Sequence, residues 1–182
     1  MKFKYNFFLF SFLSITFLTI SSYPQQMKSK IKTKMMKEQI TKAVCVIHPT
    51  KGHKAHGLII FSKVENGIKV VANIQGLKPG KHGFHIHEYG DCDIGNPNEP
   101  FSFVGGHFNP TKQPHGNHAG DFPVLFSNNG ISKMIFFTNK FDLDDIIGKS
   151  VVIHQNPDDY RTDPSGNSGK RLGCGIISMY GF

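Results

Sequence analysis

The sequence predicts an all-β fold, an antiparallel sandwich or barrel carrying two long functional loops. Three observations lead there. Short runs rich in Val, Ile and Phe recur along the chain, each bounded by turn residues and too short for a typical helix. Asn66-Gly67, between two of these runs, is a strong hairpin signal because both residues tolerate positive φ. Finally, Glu88 to Pro123 and Gln155 to Lys170 are dense in Gly, Pro, Asn and Asp, and a compact domain rarely keeps loops that long without a task for them.

Taken in order, the strand runs are Ala43 to Ile47, Gly57 to Phe61, Ile68 to Ile74, Lys133 to Thr138, Ser150 to His154 and Cys174 to Tyr180. Before them, Lys2 and Lys4 precede an apolar run from Phe7 to Ile20, and the small residues Ser21 and Ser22 follow. Residues 1–22 therefore read as a secretory signal peptide, too short and too polar in its C-terminal flank for a membrane anchor. Residues 23–39, YPQQMKSKIKTKMMKEQ, are lysine-dense without sustained apolar periodicity and read as a flexible basic lead-in. Residues 40–182 form the domain.

A chain of 182 residues with 38% apolar content is one domain with an appendage, and collagen-like, disordered and multi-span classes are excluded. The net charge of +8 stays positive after Lys2 and Lys4 leave with the leader. Export argues against nucleic acid as a partner despite that charge, and leader removal leaves no segment for stable membrane insertion. The leader places the expected location outside the cytoplasm.

Ten histidines stand out, because neither packing nor solubility asks for so many. In His85-Ile86-His87, strand alternation puts both imidazoles on one face and Ile86 on the other. Downstream come His107, His115, His118 and Asp121, then His154 at a strand end. Imidazole suits copper and zinc, and mixed imidazole and carboxylate donors suit tetrahedral zinc. Seven donors serve two four-coordinate ions only if one ligand is shared, which an imidazole can do through its two ring nitrogens.

The segments HGFHIHEYGDC (His82 to Cys92), GGHFNP (Gly105 to Pro110), HAGD (His118 to Asp121) and RLGCG (Arg171 to Gly175) together resemble copper/zinc superoxide dismutase. The similarity runs from about Thr41 to Ile177, and the exported bacterial (periplasmic) branch fits best. The resemblance implies an eight-stranded antiparallel Greek-key barrel, immunoglobulin-like in its sandwich. It also implies one copper per chain on His85, His87, His107 and His154, and one zinc on His107, His115, His118 and Asp121, with His107 as the bridge.

The implied activity is copper-dependent disproportionation of superoxide to dioxygen and hydrogen peroxide. His107 and Arg171 are the implied catalytic residues, Arg171 drawing in the anion, and Asp158 is the implied carboxylate linking a copper histidine to a zinc histidine. Cys92 and Cys174 match the family disulfide, leaving Cys45 as a buried thiol. His48, His53, His56 and His82 match no ligand position and read as surface residues. Only Gly116 and Asn117 separate His115 from His118, a shorter spacing than is usual in the family, so altered zinc binding would show first at His115. A noncatalytic copper/zinc store on the same fold is the alternative, although it would need neither a shared histidine nor the arginine. The sequence leaves monomer or homodimer open.

Overall fold

The computed structural model describes residues 25–31 and 40–181. The leader over 1–22 lies outside them. Two units separate, Met1–Gln39 and Ile40–Phe182. In the first, residues 25–31 are helical and exposed, where the lysine pattern predicts no regular element. Gln, Met and Lys are good helix formers, and Pro24 just before them is suited to a helix start. No helix among the described residues is long and apolar enough to cross a membrane.

The second unit carries nine strands: β1 (Lys42–Pro49), β2 (His56–Val64), β3 (Gly67–Gln75), β4 (Gly80–His82), β5 (Phe84–His87), β6 (Leu125–Ser127), β7 (Ile131–Thr138), β8 (Ser150–His154) and β9 (Arg171–Met179). Seven are ordered β5-β8-β9-β1-β2-β3-β7 and the remaining two pair as β4-β6, all antiparallel. β4 and β5 are one strand interrupted at Gly83, its first part pairing with β6 and its second with β8. Counted so, the strands number eight. The ring closes where β6 turns into β7 through the Asn128 to Ile131 bridge. The β3-to-β4 and β7-to-β8 connections each pass over two strands, which is the Greek-key crossing.

Alternation builds the core. Ile68, Val70, Ala72 and Ile74 of β3 point inward with Ile59 and Phe61 of β2. Phe122 fills the interior, its ring centroid 5.0 Å from those of both Phe84 and Phe136. Twelve large side chains are under 2% exposed, each stabilising by about 1.5–3 kcal/mol. Against that sum, the Cys92–Cys174 disulfide, with Cα atoms 5.7 Å apart, is a secondary contribution of about 4.5 kcal/mol. The barrel is thus specified by its core, and the loops are free to carry chemistry.

The predicted β2-β3 hairpin forms, but its two loop residues are Glu65 and Asn66, one position earlier than Asn66-Gly67. Gly67 opens β3 at φ 134, and a Cβ there would collide with the carbonyl oxygen of Thr138 on β7. Close approach of a third strand, not the turn itself, is what requires glycine.

Candidate metal centre

β5 is the foundation of the site. One edge pairs with β8. The other is lined by the long loop folding back, with Ile86 N donating to Gly120 O at 3.0 Å and Phe108 N to Ile86 O at 2.8 Å. Isolated bridges set His85 beside Asp121 and His87 beside His107. A Cβ on Gly120 would strike the carbonyl of Ile86, so glycine lets this loop reach the strand. His154 ends β8, where the register against β9 shifts between Ile153 and His154. Such an irregularity re-aims a side chain, and the His154 ring lies 4.9 Å from that of His85.

Two buried clusters result. His85, His87, His107 and His154 each offer one ring nitrogen within 4.8 Å of the others. His107, His115, His118 and Asp121 do the same with their donor atoms. The short His115 to His118 spacing does not prevent convergence. Asp121 Oδ2 accepts from Gly116 N at 2.8 Å and His118 N at 3.0 Å, closing the tight turn, and the two rings come within 5.2 Å.

The hydrogen bonds fix which nitrogen faces each centre. His85 Nε2 donates to Asp158 Oδ2 at 2.7 Å, His87 Nδ1 to Gly105 O at 3.0 Å and His154 Nδ1 to Gly169 O at 3.4 Å. The opposite nitrogens, His85 Nδ1, His87 Nε2 and His154 Nε2, have no hydrogen-bond partner, and neither does His107 Nε2. In the second cluster His115 Nδ1 and His118 Nδ1 are likewise unpartnered, while His107 Nδ1 lies 2.8 Å from Asp121 Oδ1. A buried polar atom without a partner costs about 1–3 kcal/mol. Six of them converging on two points are what a pair of cations would satisfy, and the donors fit copper and zinc.

Electrostatics keep these donors available. Burial, reinforced by neighbouring histidine charge, holds His87 and His154 well below the ordinary imidazole range. Burial also lowers His107 to about 4, although its bond to Asp121 opposes the shift. All three are neutral at pH 7, with a lone pair to give. Burial pushes Asp121 up, but the hydrogen bond from His107 and the surrounding histidines outweigh it and hold the carboxyl at about 2.

Asp158 joins the clusters from behind. Its second oxygen accepts from His115 Nε2 at 2.8 Å and from Tyr160 N at 2.7 Å. Gly166, at φ +60, is packed so closely that a Cβ would overlap both Asp158 Oδ1 and His115 Nε2. Arg171, half-buried, donates from its guanidinium to Phe101 O and borders a cavity of about 430 Å³ lined also by Glu99, Ser102 and Lys170. Cys92 and Cys174 are bonded, and buried Cys45 has its thiol pushed up to about 12 by desolvation, so it is inert.

One residue departs from expectation. His82 is not a surface residue but is buried, its ring nitrogens against His154 O and Lys78 O, both at 2.9 Å. It braces the backbone of a cluster residue, and its place in the run leading to His85-Ile86-His87 was the available signal. His48, His53 and His56 are exposed as expected. Sequence reading also misses Tyr160, whose hydroxyl accepts from Val124 N at 2.7 Å and donates to Phe122 O at 3.2 Å. It misses Lys140 as well, which holds His118 O at 3.0 Å.

A Greek-key barrel with two buried donor clusters sharing one imidazole defines a dinuclear metalloprotein. The model of the copper/zinc superoxide dismutase family matches residues 55–177. A Cu-Zn superoxide dismutase of Dictyostelium discoideum, number 5 in that organism, is 39% identical over 155 residues, 75% of this chain and 97% of the relative. Another from Deinococcus radiodurans is 37% identical over 141 residues, 68% of this chain and 78% of the relative. The chain belongs to the copper/zinc superoxide dismutase family.

Proposed function

We propose that His85, His87, His107 and His154 hold copper, that His107, His115, His118 and Asp121 hold zinc, and that His107 serves both ions through its two ring nitrogens. The observation that carries this is the set of unpartnered buried nitrogens, arranged so that His107 Nε2 faces one cluster and Nδ1 the other. The chain is an oxidoreductase that destroys superoxide, with copper and zinc as cofactors. Copper supplies reversible one-electron chemistry when bound, giving dioxygen in one half of the cycle and hydrogen peroxide in the other.

The remaining work falls to the protein. His107 Nε2 is the site where a proton would be held when that nitrogen is not engaged with metal, while Nδ1, whose partner here is Asp121 Oδ1, would be given to zinc together with that carboxylate. Asp158 sets the tautomers of His85 and His115 so that their Nδ1 lone pairs point into the clusters. Arg171 offers a fixed cation beside the cavity that is also lined by Gly169, whose carbonyl accepts from His154 Nδ1. It attracts the anionic substrate by electrostatic steering, of which this family is itself a standard example. A store would need neither the shared ring nor this cation. With residues 1–22 as a cleaved leader, the enzyme acts in the periplasm and protects the envelope.

Cobalt(II) loaded in place of zinc tests the bridge. Magnetic coupling through His107 should strongly attenuate the copper resonance in the native chain and leave it at full intensity in His107→Ala, which should also lose most activity. An unattenuated copper signal beside cobalt, or full activity in copper-loaded His107→Ala, contradicts the assignment.

A further inference from the structure

No strand of the nine contains an Asp or a Glu, so every carboxylate of the barrel unit lies in a turn, a loop or the short helix Leu143–Ile146. The consequence is sharpest on the outer face of β1, β2, β3 and β7. Three successive rows cross it: Lys42, Ser62, Lys69 and Phe137, then Val44, Ile60, Val71 and Ile135, then Val46, Leu58, Asn73 and Lys133. Neighbouring rows lie two residues apart along each strand, so the side chains form one patch. Ile135 is 62% exposed and Phe137 67%. Phe126 on β6 is 62% exposed and paired in register with Lys81 of β4. Soluble proteins seldom show so much contiguous aliphatic and aromatic surface to water unless it is used.

The charges on and around this patch select the occupant. Lys42, Lys69 and Lys133 stand in the rows and Lys81 opposite Phe126, and no strand position of this face carries a carboxylate. A two-fold dimer would set this lysine-bearing surface against an identical one, placing like charges in one interface with no strand carboxylate on the face to neutralise them. An anionic bilayer meets both demands. Its headgroups pair with lysines whose stems lie along the apolar surface, and its interface accepts the isoleucines and phenylalanines to a shallow depth.

We propose that the outer face of β1, β2, β3 and β7, extended by Phe126, docks peripherally on an anionic lipid surface. In the closed ring of eight, β2 and β3 stand across the barrel from β5 and β8, which carry His85, His87 and His154. Docking therefore leaves the metal centre and its cavity open to solvent. The five lysines from Lys28 to Lys37 in the lead-in have the same sign and add to the attraction.

Co-sedimentation of the metal-loaded chain beginning at Tyr23 tests this, with vesicles of phosphatidylglycerol mixed into phosphatidylcholine and with phosphatidylcholine alone. The expected result is binding only to the anionic vesicles. Each lysine near such a surface is worth about five-fold in partitioning, so Lys69→Gln with Lys133→Gln should weaken it about 25-fold. Ile135→Ser with Phe137→Ser should weaken it as well. Both double variants should keep native melting temperature and dismutase activity, since none of the four side chains touches the core or the metal centre. Equal partitioning to both vesicle types, or native binding in both double variants, overturns the proposal. So does a dimer in sedimentation equilibrium that Ile135→Ser with Phe137→Ser abolishes, because a second copy would then own the face.

Discussion

Replacing Asp158 with Asn changes one oxygen to an amide nitrogen at nearly constant volume. In the native chain one oxygen accepts from His85 Nε2 at 2.7 Å and the other from His115 Nε2 at 2.8 Å and Tyr160 N at 2.7 Å. Both histidines therefore keep their proton on Nε2 and present a bare Nδ1 to their clusters. Asn can accept from one of them only. Its NH2 faces the other, which must either turn away or move its proton to Nδ1, where it blocks the metal. Loss of such an outer partner costs about 10–100-fold in metal affinity, or about 1.4–2.7 kcal/mol. Competition against chromophoric chelators, run separately for copper and zinc, should show that loss for at least one ion. The barrel, held by its core, should melt as a folded protein in the metal-free state. Native affinity for both ions in Asp158→Asn would refute the tautomer argument.

Three further outcomes follow from the same geometry. Cys92→Ser with Cys174→Ser opens a loop across a separation of 82 residues and should lower the unfolding free energy by about 4.5 kcal/mol; denaturant titration reads it, and an unchanged midpoint contradicts it. Arg171→Ala should cut kcat/KM at least about ten-fold and flatten its dependence on salt, whereas a loss confined to melting temperature would make the bond to Phe101 O its only role. In the metal-free protein, His107 is lowered from 6.5 to about 4, so the unfolded chain binds more protons between those values and stability must fall as pH drops through that range. His87 and His154 push the same way, and Asp121, held at about 2, extends the loss below pH 4 as its carboxylate protonates. A denaturant midpoint that stays flat or rises from pH 7 to 4 contradicts the sign.

The strands were legible because alternation of small β-branched runs leaves a period-two signature, and all six runs named from sequence lie within or overlap strands of the barrel. β6 was not, since three residues are too few to show a period. The site was legible for a different reason. Seven metal donors are chemically rare residues in fixed motifs, and the clusters bring together the same seven. What the motifs could not convey is the support behind them. His82 carries the same side chain as the ligands, and only burial against two carbonyls distinguishes its role. Tyr160 and Lys140 act through backbone atoms of distant residues, so no local spacing announces them. The Gly67 misplacement has the same origin, because the constraint comes from Thr138 on another strand.

The most direct test is metal content measured together with superoxide dismutation on the chain beginning at Tyr23, loaded with copper and zinc and compared with its zinc-only form. One copper and one zinc per chain, with activity that vanishes when copper is removed and returns when it is restored, is the predicted result. Tight zinc without copper, or bound copper without activity, would contradict a catalytic pair of clusters joined through His107.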